Sequence, residues 1–175
     1  MKKFGIYAGL AAVAAAALAV GSFATAGSGK KVVKADLESY LEVPAISTGG
    51  TGSLAAMLDD GADTISYTLS YSGLEGAGTL FAHIHFGQRS VNGGVAAFLC
   101  GGGGKPACPA GSGTVTGVIG APDVIGPGGQ GISSSEIGEL FAAIRAGRAY
   151  ANVHTTTFPG GEIRGQINDD NQRDD

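Results

Sequence analysis

The chain has 175 residues, a formal net charge of −4, 32 glycines, three histidines and two cysteines. An acidic chain without a dense basic cluster disfavours nucleic acid as a partner, because phosphate contacts need clustered Lys and Arg. Past the first residues, sulfur is limited to Met57, Cys100 and Cys108, which argues against a Met-rich metal carrier.

The amino end reads as a secretion signal. Lys2 and Lys3 form a positive n-region, Phe4 to Val20 is an Ala-rich apolar stretch, and Ala24-Thr25-Ala26 has the small-x-small pattern of a signal-peptidase site. The expectation is a cleaved signal peptide over 1–26 and a leader over 27–34, giving a secreted or periplasmic protein with no membrane contact after cleavage. An uncleaved anchor is the other reading of the same stretch, which is just long enough to span a bilayer.

Period-two patterning then dominates. Ile65, Tyr67, Leu69 and Tyr71 alternate with Thr64, Ser66, Thr68 and Ser70, as on a half-buried strand. Further strands are expected over Lys34 to Tyr40, Gly52 to Leu58, Thr79 to Phe86, Val95 to Leu99, Thr114 to Ile119, Arg148 to Thr155 and Glu162 to Asn168. Turn chemistry separates them, notably at Asp59-Asp60-Gly61-Ala62-Asp63 and Asn92-Gly93-Gly94. Cys100 and Cys108 bracket four glycines, and in an oxidising compartment they are expected to form a structural disulfide. A thiolate metal site competes with that reading, but oxidation would remove both thiolates.

Residues 120–131, rich in Pro and Gly, read as an exposed connection. Ser133-Ser134-Ser135-Glu136 then has the form of a capping box, and Ile137, Leu140, Phe141 and Ile144 recur at helical spacing up to Gly147. This predicts a helix over Ser134 to Ala146 whose apolar stripe closes one end or edge of the fold. The whole is an all-β protein, an antiparallel Greek-key-like β-sandwich with one short helix near 134–146, forming one domain over 35–168. An acidic disordered tail over 169–175 follows.

The histidines occupy two of the strand segments. His83 and His85 are two apart, so on a strand they leave the same face and present two imidazoles to one point; His154 lies in a segment of similar alternation. Three imidazoles suit Cu(II), Zn(II) or Ni(II). The Irving–Williams order and an envelope setting favour copper (Cu2+), with zinc as the second candidate. Glu162 and Tyr150 are candidates for a fourth ligand. Glu162 can equally pair with Arg164 or Arg148 or accept bonds in the Gly160-Gly161 turn, and Tyr150 can be a buried tyrosine tied to backbone. Asn152 is a candidate hydrogen-bond partner of the rings, in which case the histidines would be structural.

Two segments carry a family resemblance. Ala146 to Thr155, followed by Phe158-Pro159-Gly160-Gly161-Glu162-Ile163-Arg164-Gly165-Gln166-Ile167, resembles the signature of the CHRD domain, named after chordin. His83-Ile84-His85, Gly87 and Asn92-Gly93-Gly94 fit the same pattern, so the resemblance runs from about Ala35 to Asn168. It implies an extracellular or periplasmic β-sandwich module, repeated in chordin and single in many secreted bacterial proteins, with no settled enzyme activity. A second, local resemblance links His83-x-His85 and Gly87 to the copper strand of copper-zinc superoxide dismutase. That enzyme needs more histidines than this chain has.

Other chemistries lack their parts. No Gly-x-Ser-x-Gly elbow occurs, Gly101 to Gly104 is not followed by the Gly-Lys-Ser/Thr of a phosphate loop, and Asp59, Asp60 and Asp63 sit in turn composition. The expected function is therefore coordination of one copper ion by His83, His85 and His154 for sequestration, delivery or sensing rather than turnover. Affinity should fall as pH drops below the imidazole range of roughly 6 to 7. The alternative is a non-metal module binding an extracellular protein or polymer with structural histidines; the third is dismutase-like redox activity.

Overall fold

A computed structural model describes residues 29–75 and 78–167; the signal peptide expected over 1–26 and the tail over 169–175 lie outside them. Eight antiparallel strands run β1 Lys30–Glu38, β2 Thr51–Asp59, β3 Thr64–Ser72, β4 Thr79–Phe86, β5 Gly94–Cys100, β6 Gly113–Gly120, β7 Ala149–Thr155 and β8 Ile163–Gln166. One helix, α1 Ile137–Arg145, precedes β7. β1 begins at Lys30, ahead of the expected Lys34, because Lys30 to Val33 pair with Asp59 to Ala56.

The strand order is β5-β4-β7-β8-β1-β2-β3-β6. Two four-stranded halves are joined by a narrow seam, the single register pair Glu38↔Arg164. Gly165 makes that seam, since a Cβ there would strike the carbonyl oxygen of Asp36. The far ends of the sheet are drawn together as well. Tyr67 on β3 donates its hydroxyl to the Leu99 carbonyl on β5 at 2.6 Å, so the sheet curls into a nearly closed, sandwich-like barrel. The β6-to-β7 connection returns across it to lay β7 on β4, the crossover that gives a Greek key.

Alternation decides which side chains meet inside. Ile65, Tyr67, Leu69 and Tyr71 are at most 4% exposed and pack with Leu37, Leu54, Ile84 and Val153. Burying each large aliphatic side chain favours the fold by roughly 1.5–3 kcal/mol. Ile137, Leu140, Phe141 and Ile144 of α1 join this core, as their spacing predicts.

Three expectations are corrected. The helix starts at Ile137 rather than Ser134: Ser135 is left-handed (φ 69°), and Ser134 Oγ and the Ser135 N–H donate to the Val124 carbonyl instead of entering the helix. Only half of a capping box forms, with Glu136 Oε2 accepting from the Ser133 N–H at 2.7 Å. The 120–131 connection is not wholly exposed, because Val124 is fully buried in the core. Cys100 and Cys108 form the expected disulfide, with Cα atoms 5.2 Å apart.

Candidate metal centre

Strand pairing places the histidines on the outside of the barrel. In β4 and β7 the core-facing residues are Ala82, Ile84, Ala151 and Val153, so Phe81, His83, His85, Tyr150, Asn152 and His154 point the other way. An outward sheet face is normally wet, yet every residue of β7 is buried. Loops cover it. Arg164 on β8 holds the 87–93 loop through the Gln88 and Val91 carbonyls at 3.0 and 2.9 Å and Asn92 Oδ1 at 3.3 Å. The β7–β8 turn folds back from the other end, with the Gly161 N–H bonded to the Phe158 carbonyl.

Both covers grip a histidine. His85 Nδ1 lies 3.0 Å from the Gly93 carbonyl and His154 Nδ1 lies 3.0 Å from the Pro159 carbonyl. A carbonyl only accepts, so each Nδ1 carries the proton and each Nε2 presents a lone pair. The register pairs are Phe81↔His154 and His83↔Asn152, and His83 reaches His154 on the diagonal, with Nδ1 3.2 Å from Nε2. The three rings can each offer a nitrogen within 4.8 Å of the others. Two nitrogens on one ion at about 2.0–2.1 Å stand about 2.9–3.5 Å apart, which brackets the His83–His154 spacing.

The rings are 5%, 8% and 6% exposed at His83, His85 and His154. His83 Nε2 and His85 Nε2 are shielded from solvent and make no hydrogen bond. Phe81 stacks on His83 at 4.8 Å and Phe98 meets it edge-on at 4.4 Å, while Tyr150 lies flat on His85 at 4.7 Å and 5°. Burial disfavours the imidazolium form and depresses all three pKa values, with neighbouring rings adding to the effect at His83 and His85. His83 falls to about 3 and His85 to about 4; His154 is lowered by burial against an opposing bond to Pro159. The set is thus neutral at physiological pH, the form that ligates metal, and the expected loss of affinity below pH 6 to 7 moves to lower pH.

The remaining candidates are engaged elsewhere. Glu162, fully buried, accepts from the Glu75 N–H at 2.7 Å and the Thr155 hydroxyl at 2.8 Å, and so pins the 73–75 segment to the β7–β8 turn. It pairs with neither Arg164 nor Arg148 in these contacts. Tyr150 Oη accepts from the Gly93 N–H at 3.1 Å. Asn152 Nδ2 donates to Glu42 Oε1 and the Ile163 carbonyl rather than to a histidine. Sequence reasoning missed Glu42, whose burial raises its pKa to about 7 against the pull of Asn152 and Arg164. It also missed Arg164 as the clamp on the 87–93 loop; alternation with the core residues Ile163 and Ile167 was the available signal.

Fold and site together define an all-β module that carries a buried cluster of three neutral imidazoles, a group that could hold a metal ion. The family model of the CHRD domain matches residues 33–167, and the chain belongs to the CHRD-domain family. No curated protein and no solved structure matches it, so the local likeness to copper-zinc superoxide dismutase gains no support from these comparisons. CHRD domains are of extracellular type, in keeping with the disulfide, and no helix among the described residues is long and apolar enough to cross a membrane.

Proposed function

We propose that this protein is a secreted or periplasmic CHRD module that binds one copper ion through His83, His85 and His154, for sequestration, delivery or sensing. The observation that carries the reading is the pair of backbone carbonyls, Gly93 and Pro159, that fix the tautomers of His85 and His154 and leave the Nε2 of each with a lone pair, in a cluster whose three rings can each offer a nitrogen within 4.8 Å of the others. Copper is favoured over zinc and nickel by the divalent affinity order, with zinc the next candidate. Burial of the rings supports holding an ion rather than turning over a substrate on it.

The test is a copper titration of the Gly27 to Asp175 protein with native mass spectrometry, repeated on folded His83→Ala and His154→Ala. One ion per chain, weakened by at least about a hundredfold in either variant, is the expected result. Unchanged affinity in both variants sinks the site assignment.

A second reading, a module for an extracellular protein or polymer, is favoured by one feature of the opposite half of the sheet. Thr51, Ser53, Ser70, Ser72 and Thr114 line an open trough of about 520 Å³ over β2, β3 and β6. On that reading the histidines are structural, and their replacement lowers thermal stability with no metal to lose.

A further inference from the structure

We propose that the three-histidine cluster is built for the monovalent ion and holds Cu(I) in preference to Cu(II); this rests on the copper reading above and adds the oxidation state. Four features of the site bear on the charge and coordination number it accepts.

The donors bring no negative charge. The cluster is three imidazoles, and the buried carboxylates among the described residues hydrogen-bond elsewhere, Glu162 to Glu75 and Thr155 and Glu42 to Asn152. A divalent ion there keeps both charges uncompensated by its ligands, whereas Cu(I) keeps one.

A fixed cation stands close by. The Arg164 guanidinium lies 3.4 Å over the Tyr150 ring, whose other neighbour is His85 at 4.7 Å, giving a stack of cation, phenol and imidazole. Three acceptors on the 87–93 loop hold Arg164 in place. Its repulsion of a bound ion is proportional to that ion's charge, so it opposes Cu(II) twice as strongly as Cu(I).

Solvent is kept away. His83 Nε2 and His85 Nε2 have no exposure, and Phe81 and Phe98 wall His83. The cost of moving an ion out of water grows with the square of its charge, which again selects against the dication.

The coordination number points the same way. Cu(II) takes a tetragonal set of four or more donors, while the filled d shell of Cu(I) is satisfied by three. Each side chain that might add a fourth donor is turned to another partner: Tyr150 to Gly93, Asn152 to Glu42 and Ile163, and Glu162 to Glu75 and Thr155.

The experiment compares the two oxidation states on the Gly27 to Asp175 protein at neutral pH. Cu(I) is measured without oxygen, in competition with bathocuproine disulfonate, and Cu(II) in competition with a fluorescent Cu(II)-binding peptide. The expected result is one Cu(I) per chain, bound at least tenfold more tightly than Cu(II). In folded Arg164→Gln the ratio should move at least threefold toward Cu(II); an unchanged ratio overturns the role given to Arg164. Equal or tighter binding of Cu(II) that is lost in His83→Ala overturns the preference and leaves the copper centre standing. Failure of both ions to bind overturns the copper reading with it.

Discussion

His83 and His154 are diagonal neighbours, not a register pair: His154 sits opposite Phe81 and His83 opposite Asn152, yet His83 Nδ1 lies 3.2 Å from His154 Nε2. Because His154 Nδ1 donates to Pro159, its Nε2 accepts, and in the metal-free protein His83 Nδ1 supplies the proton between them, a proton that must move to His83 Nε2 before Nδ1 can ligate an ion. The diagonal leaves Asn152 free to turn toward Glu42 and the Ile163 carbonyl. One sheet face thus holds two layers, a neutral imidazole cluster and a polar network beside it.

Acid should destabilise the metal-free protein. In the unfolded chain a histidine takes up a proton near pH 6.5, whereas His83 and His85 do so only at about 3 and 4 in the fold. Between those values the unfolded state binds more protons, so stability is full above pH 6.5 and falls as pH drops. Glu42 works in the opposite sense, holding a proton in the fold up to about pH 7 against 4.5 when unfolded, and offsets one histidine. Below pH 6.5 the net loss, for one proton, should be about 1.4 kcal/mol per pH unit. Thermal denaturation at pH 7, 6 and 5 checks it; a melting temperature that rises on acidification contradicts neutral burial of the rings.

Removing Glu162 should damage the fold and spare the metal. Glu162→Ala leaves the Glu75 N–H and the Thr155 hydroxyl without their acceptor, at a cost of about 2–4 kcal/mol. Copper stoichiometry in the folded variant should stay at one ion. Loss of copper from folded Glu162→Gln would instead make the carboxylate a ligand.

The two glycines of the β7–β8 turn should respond differently to alanine. Gly161 has φ 128°, and a Cβ there would stand 2.6 Å from both Asn152 Nδ2 and Glu42 Oε1. Gly161→Ala should cost about 1–3 kcal/mol and loosen the turn that carries Pro159. Gly160 has open space at its Cβ, so Gly160→Ala should stay within about 0.5 kcal/mol of wild type. Urea unfolding of the two variants side by side gives the comparison, and equal stabilities would refute it.

Cys100 and Cys108 close a short glycine-rich loop. Replacing both by serine should lower stability by roughly 2–3 kcal/mol, the loop-closure entropy returned to the unfolded chain. Copper binding should persist, since neither sulfur belongs to the cluster. A copper stoichiometry that falls with the disulfide would tie the loop to the site.

Much of the fold is legible in the residues because strand alternation is a local property. Ile65, Tyr67, Leu69 and Tyr71 announce their inward face, and Ile137, Leu140, Phe141 and Ile144 the stripe of the helix. The start of that helix is not legible, because Ser134 and Ser135 find the Val124 carbonyl, a partner brought in by tertiary structure. A capping pattern cannot register such a competitor.

The sequence by itself determined an antiparallel β fold, its disulfide and a pair of histidines on one face of a strand, all of which follow from spacing along the chain. Only the tertiary structure decided that β7 lies beside β4, that the histidine face is the outer one, and that the 87–93 loop and the β7–β8 turn bury it. The roles of Glu162, Asn152, Glu42 and Arg164 were decided there too. The physical reason is one of range. Periodicity tells which side of its own strand a residue takes, whereas a hydrogen-bond partner 70 to 110 residues away exists only once the sheet has closed.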